Sequence, residues 1–333
     1  MKRAAFSTLI PLILLAGCGS SDGGITGQGN NNNPPPPPAG FTITSANGAQ
    51  VTQVAYESVL SSGDIAGMAG NTGLTANNGG VFAMSPAQQK ANGAMQMTSL
   101  PPMVTPCASG TGTLTVTLDI VDLNVFAAFM LSPGDTILSE YAACIDVVGE
   151  TIDGTIDSAV GAFEGSILGA YNMTMTMTFT DFQVATAEDV FTANGDGTAT
   201  LNTLTPLYLE TSINGNSITT DSNSATETLT AYSSAQTFDA RVSPSPYTIT
   251  GAGTLDSTRL SGVVSYSTET TFTGFNADYP TGGALLVAGD TSSARLIAEM
   301  NGIDVTIEIY SNTTGTDMPD DTIMTTWAEL AAM

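Results

Sequence analysis

No histidine occurs anywhere in the 333 residues. That removes Ser-His-Asp and Cys-His catalysis, a histidine general base and most zinc sites together. Cations are nearly as scarce, with six Lys and Arg against 31 Asp and Glu, a formal charge of −25. A surface so poor in cations suits neither nucleic acid nor anionic headgroups. Charged residues make up only 11% of the chain, so solubility must rest on Thr, Ser, Asn and Gly, which suit sheet faces and turns better than helices. No G-x-S-x-G elbow, S-x-x-K pair, Walker motif or dinucleotide-binding glycine motif is present. No catalytic, cofactor-binding or metal-binding residue is assigned on these grounds.

What is present begins with an address. Lys2 and Arg3 precede an apolar run from Ala4 to Ala16, too short to span a bilayer, and the run ends in Leu15-Ala16-Gly17-Cys18. This resembles the bacterial lipobox, which implies cleavage before Cys18, diacylglycerol on its thiol and acylation of its new amine. Several acyl chains on one residue hold a protein firmly at a membrane. Gly19 stands where an Asp would favour inner-membrane retention, so the resemblance implies the outer membrane, with the folded part in the periplasm or at the cell surface. Loss of Lys2 and Arg3 takes the net charge from −25 to −27. Residues 1–17 thus read as a signal peptide, and 18–40, rich in Asn and Pro, as a disordered linker with a polyproline II stretch over Pro34–Pro38.

About 290 residues remain from Phe41 onward, enough for a large β-domain. The pattern "AQVTQVAYESVL" places Val51, Val54, Ala55 and Val59 on one side at helical spacing and predicts a short helix, capped by Asn47 or Ser45. A second short helix is expected near residues 86–94, within a helical or irregular segment spanning 41–106. From 107 to 333 the period changes to two. "TGTLTVTLDI" alternates Leu114, Val116 and Leu118 with threonines, and "AYNMTMTMTFTDF" sets Tyr171, Met173, Met175, Met177 and Phe179 against Asn172 and Thr174 to Thr180. Such alternation predicts half-buried antiparallel strands, and a methionine stripe at period two reads as core rather than metal ligation. The fold class is therefore all-β, built of antiparallel sheets in a sandwich or a strongly curved open sheet, with a short N-terminal helix. A transmembrane barrel is not expected, because few strands have the required length and regularity.

"MTMTFTDFQV" from Met175 is echoed by "TETTFTGFNA" from Thr268, 93 residues on, which suggests two related β-modules over about 150–220 and 247–315. Cys107 and Cys144 form a pair once Cys18 is set aside, and in an oxidising compartment they should be disulfide-bonded. The chain as a whole resembles a family of proteobacterial lipoproteins of unknown activity. The resemblance is carried by Cys107, "GTLTV" from Gly112, "GDT" from Gly134, Cys144, "DGT" from Asp153, "TFTDF" from Thr178, "YPTGGALLVAG" from Tyr279 and "TTWAEL" from Thr325. It implies a lipid-anchored, β-rich domain and carries no catalytic residues with it.

Three functions are compatible with this reading. The first is a non-catalytic structural or binding module of the cell envelope, anchored by membrane lipid, with a glycan or an envelope protein as partner and no nucleic acid. The second is a carrier of lipid or another apolar ligand, lined by Met173, Met175 and Met177. The third is a glycoside hydrolase using a carboxylate pair drawn from Glu150, Asp153, Asp157 and Glu164. Structural calcium is the one cofactor with candidate ligands, at "NGDG" (Asn194–Gly197) or at Asp317, Asp320 and Asp321. Neither run has the full spacing of a calcium loop, and hairpin turn chemistry accounts for "NGDG" equally well.

Overall fold

The computed structural model describes residues 41–69, 98–107, 110–145, 150–186, 190–222, 225–276 and 278–333. The lipobox at Cys18, the linker and the helix expected near 86–94 lie outside the described residues. Within them the chain forms fifteen β-strands and three helices, an antiparallel all-β fold with one long helix at its N-terminal side.

The strands belong to two compact units. The central unit comprises Ile65–Leu204 and Ile218–Ser224. It contains β1 (Thr98–Ser99), β2 (Met103–Pro106), β3 (Thr113–Ile120), the short helix α2 (Leu123–Ala127), β4 (Thr136–Ile145), β5 (Thr151–Gly165), β6 (Tyr171–Ala185) and β7 (Val190–Asn202). From β3 to β7 each strand pairs with its successor in sequence, while β1 and β2 both pair with β3. The alternation read in the sequence is borne out: Leu114, Val116, Leu118 and Ile120 point inward along β3, and Tyr171, Met173, Met175, Met177 and Phe179 along β6. On the outer face the threonines bond to one another across strands, Thr174 to Thr200 at 3.1 Å and Thr176 to Thr198 at 3.4 Å. Such pairs stabilise a sheet by roughly 0.2–1 kcal/mol each.

A repeated bulge shapes this unit. Ala143 and Asp181 both take positive φ, at 46° and 48°, in the left-handed region that L-residues seldom adopt. Each lies where the register shifts, between Tyr141 and Cys144 on β4 and between Phe179 and Phe182 on β6. In both cases the bulged N–H is taken up by an Asx side chain on the next strand: Ala143 donates to Asp153 Oδ1 at 2.6 Å and Asp181 to Asn194 Oδ1 at 2.7 Å. A glycine follows each acceptor. The bulge on β6 turns Phe182 inward beside Phe179, although the two are three positions apart and strict alternation would send them to opposite faces.

Two motifs of the sequence are placed here. "NGDG", whose composition suits a hairpin turn, lies instead within β7 and receives the bulge of β6, and "DGT" lies within β5 and receives that of β4. Gly154 has φ 92°, and a Cβ there would sit 2.2 Å from the Asp181 carbonyl oxygen. Gly154→Ala is therefore expected to destabilise the protein by about 1–3 kcal/mol, since the obstacle is backbone and the conformation itself is strained for alanine. Urea denaturation followed by circular dichroism measures this, with Gly161→Ala as the control, because its new methyl would meet nothing closer than 3.5 Å.

The C-terminal unit comprises the segment up to Asp64 with Thr205–Ser217 and Ala225–Met333. Its elements are α1 (Gly48–Ala69, continuing past the unit boundary), β9 (Ala225–Asp239), β10 (Pro246–Ser257), β11 (Val264–Phe275), β12 (Gly282–Ala288), β13 (Ser293–Ala298), β14 (Asp304–Tyr310), β15 (Asp321–Thr326) and α3 (Trp327–Leu330); β8 (Tyr208–Ser222) belongs in part to each unit. From β9 to β15 the order is again sequential and antiparallel.

Helix α1 is longer than the predicted 49–60 and is not one-sided. Residues 51–56 are all buried, polar Thr52 and Gln53 among them, as are Ser58 and Ser62. Thr52, Ser58 and Ser62 meet the demand of burial locally, each hydroxyl donating to the carbonyl four residues back, at 2.9, 2.9 and 2.7 Å. Asn47 stands at the helix start, its carbonyl accepting from Val51 N–H, but its side chain turns back to accept from Thr44 N–H. The helix packs on β10 and β11, with Val59 against Gly251 and Tyr56 against Phe272. A Cβ on Gly251 would lie 2.8 Å from Val59, so the glycine permits this close approach.

Candidate docking surface

Arginine is where chemistry would be sought in a chain so acidic, and each of the three arginines in the C-terminal unit is held by carboxylates. Arg259 lies between Glu57 of α1 and Glu227 of β9, donating to Glu57 Oε2 at 2.5 Å and to Glu227. Burial opposes its charge, but the two carboxylates outweigh it and keep the guanidinium pKa above its ordinary value. Arg295 on β13 donates to Glu269 at 2.6 Å, Tyr310 Oη at 2.7 Å and the Gly315 carbonyl at 2.8 Å, which fastens the 311–320 connection to the sheet. Arg241 is tied to Asp239 at 2.7 Å and lies over the Tyr208 ring. These cations serve the structure.

The acids singled out by sequence do not converge. Asp153 accepts the Ala143 bulge, while Asp157 and Glu164 are exposed farther along β5. At about 3.3 Å per residue, four and seven positions along a strand separate these groups by roughly 13 and 23 Å, beyond the roughly 5–9.5 Å of a glycosidase pair. Glu150 precedes the strand and is buried. Asp317, Asp320 and Asp321 accept from Asn312, from Ser311 N–H at 2.5 Å and from Thr322 N–H, as turn acceptors do. No group of three or more Asp, Glu or Cys side chains fit to hold a metal ion occurs among the described residues. Cys107 and Cys144 are disulfide-bonded, with 5.3 Å between their Cα atoms.

The unusual surface is apolar and lies at one end of the C-terminal unit. In an antiparallel meander successive connections alternate between the two ends of the strands. The connections 240–245, 276–281 and 299–303 therefore share an end with α3, which follows β15. Hydrogen bonds join them: Asn276 N–H donates to Ser245 O at 2.7 Å, Tyr247 Oη to Asp278 O at 2.7 Å, and Trp327 N–H to Ile303 O at 2.9 Å. The connection leading into β8 joins the same set, Ala240 N–H donating to Leu207 O at 2.7 Å. Each tip exposes a large apolar side chain: Leu207, Val242, Phe275, Tyr279, Met300 and Ile303, with Met300 90% exposed.

Beneath them lies an aromatic stack. Tyr279 lies flat on Trp327 with centroids 5.6 Å apart, and Trp327 meets Tyr56 of α1 at 4.9 Å. The closing "TTWAEL" is a capping box: Thr326 Oγ1 accepts from Glu329 N–H, and Glu329 accepts from Thr326 N–H. Those bonds hold the Glu329 carboxyl below its usual pKa and set Trp327 under the tips. The sequence holds both the closing motif and "YPTGG", yet nothing in it signalled that four separate connections carrying exposed apolar residues share one end.

Several tyrosines sit in apolar surroundings. Burial raises the pKa of Tyr56, Tyr141 and Tyr266, and pushes Tyr171 up to about 12. Unfolded phenols ionise near the ordinary value of 10, whereas the buried ones keep their protons, so the unfolded state binds fewer protons at high pH. Stability is expected to hold up to about pH 10 and to fall steadily toward pH 12. Urea midpoints across that range, with the phenolate absorbance followed in parallel, check the effect.

No protein-family model, curated protein or solved structure matches the chain.

Proposed function

We propose that the protein is an outer-membrane lipoprotein, anchored through acylated Cys18, that acts as a non-catalytic binding module of the cell envelope. The observation that carries the binding role is the end of the C-terminal unit, where connections far apart in sequence are hydrogen-bonded together, each exposes large apolar side chains, and Tyr279 of one stacks on buried Trp327. Large apolar groups held out by a well-bonded scaffold mark interaction surfaces. The polar and charged side chains favour the same reading, since arginines and acids alike are engaged in fastening strands, bulges and turns. The methionine strand offers the carrier reading little, because Met173, Met175 and Met177 are fully packed.

Two measurements test this. Intact-mass analysis of the membrane fraction should return a chain beginning at acylated Cys18, and an unmodified N-terminus elsewhere would sink the anchor. A glycan-hydrolase and general hydrolase screen should be silent. Turnover abolished by changing one or two carboxylates would replace binding with catalysis.

A further inference from the structure

The tips of the C-terminal unit carry charge as well as apolar groups. Asp278, Glu299, Asp304 and Glu329 stand among them, and none takes part in an ion pair among the described residues. The cation at this end, Arg241, is neutralised by Asp239. The surface is therefore a set of apolar knobs inside a negative field.

Position adds a second constraint. The chain enters the unit at Phe41, whose carbonyl accepts from Asp290 N–H at 2.7 Å and whose side chain lies against Gly262. Those residues belong to the connections 258–263 and 289–292, at the other end of the strands. β13, which links 289–292 to the tip at 299–303, has six residues and β11 has twelve, so the two ends are about 20 to 40 Å apart at roughly 3.3 Å per residue. The described chain thus begins, at Phe41, at the end opposite the apolar tips.

These facts select the occupant. A bilayer would have to receive four carboxylates that no lysine or arginine among the described residues compensates. A second copy docking tip to tip would oppose like charges. We infer that the tips dock a protein partner presenting an apolar patch rimmed by Lys and Arg, at the end of the unit opposite Phe41. The inference rests on the reading of the protein as a binding module and names the face and the chemistry of its partner. Apolar contact supplies the affinity, and the charges steer and orient the encounter.

Trp327 is the single tryptophan of the chain and lies beneath Tyr279, so its emission reports on this surface. The probe is an amphipathic leucine/lysine helical peptide lacking tryptophan, titrated into the full chain bearing Cys18→Ser in the absence of detergent. Saturable change in Trp327 emission is expected, weakening as salt is raised. Phe275→Ser combined with Met300→Ser should weaken binding by roughly tenfold or more. Met318→Ser, at the opposite end and 88% exposed, should leave it unchanged. A leucine/glutamate peptide should not bind.

No saturable binding, or binding equally tight in the tip variant, overturns the inference. So does an equal response to phosphatidylcholine vesicles, which would make the surface a membrane contact. Concentration-dependent dimers abolished by the tip substitutions would make it a self-association face and overturn it equally. The outcome is separable from that of the anchor: peptide docking with an unacylated Cys18 leaves the tip surface standing, and acylation without docking removes only the tip surface.

Discussion

Replacing Arg259 by methionine is expected to destabilise the C-terminal unit by about 3–5 kcal/mol. The guanidinium joins three segments distant in sequence: α1 through Glu57, β9 through Glu227, and its own connection between β10 and β11. Its backbone carbonyl also accepts from Gln50 Nε2 at 2.9 Å. Without the cation, two carboxylates that are less than one-fifth exposed would face each other across the root of the helix. Removing one partner from such a group costs far more than the net value of the pair, because the remaining charges stay desolvated. Trp327 emission against urea follows the unit directly. A second variant separates charge from packing: Arg259→Met with Glu57→Gln and Glu227→Gln should recover much of the loss. A loss below about 1 kcal/mol in the single variant would place the cluster among ordinary surface ion pairs.

Loss of the Cys107–Cys144 disulfide is the second large effect, expected at about 4 kcal/mol for a sequence separation of 37. The bond joins the residue after β2 to β4, and both strands flank β3. β1 and β2 have only two and four residues, so their ladder bonds to β3 are few. The crosslink limits the freedom of the unfolded chain and ties the short β2 edge to the body of the sheet. A Cys107→Ser/Cys144→Ser variant should show the loss in the urea midpoint by circular dichroism, and dithiothreitol should reproduce it in the unaltered chain while leaving the variant unmoved. Equal midpoints for the oxidised and reduced forms would contradict the assignment.

Much of the fold was legible in sequence because burial on a strand has a short period. Leu114 to Ile120 and Tyr171 to Phe179 alternate so regularly that only one face can be core. The helix at 48 was legible for the same reason, through Val51, Val54, Ala55 and Val59. Its burial on more than one face was not, because Thr52, Ser58 and Ser62 read as solvent-facing until their hydroxyls are seen bonded to the helix backbone.

The bulges mark the clearest boundary between the two kinds of information. Asn, Asp and Gly favour positive φ, so "NGDG" reads locally as a turn, yet it lies within β7, where Gly195 at φ 142° stands opposite the bulge at Asp181 of β6, itself at φ 48°. Which residue bulges depends on register between strands and on which neighbour supplies an acceptor, and neither is a local property. The two T-F-T-x-F segments show the same limit: Phe182 is buried by a bulge, while Phe275, with no bulge after Phe272, points outward at a tip.

By itself the sequence determined the antiparallel β class, the inward residues of the regular strands, the pairing of the two cysteines and the absence of histidine chemistry, because each follows from composition or from spacing within a few residues. Only the tertiary structure decided that four connections separated by tens of residues share one end, that each exposes apolar side chains there with Tyr279 stacked on Trp327, and that Phe41 lies at the other end. Those outcomes depend on the order and direction of strands, which long-range backbone pairing fixes and no local pattern encodes.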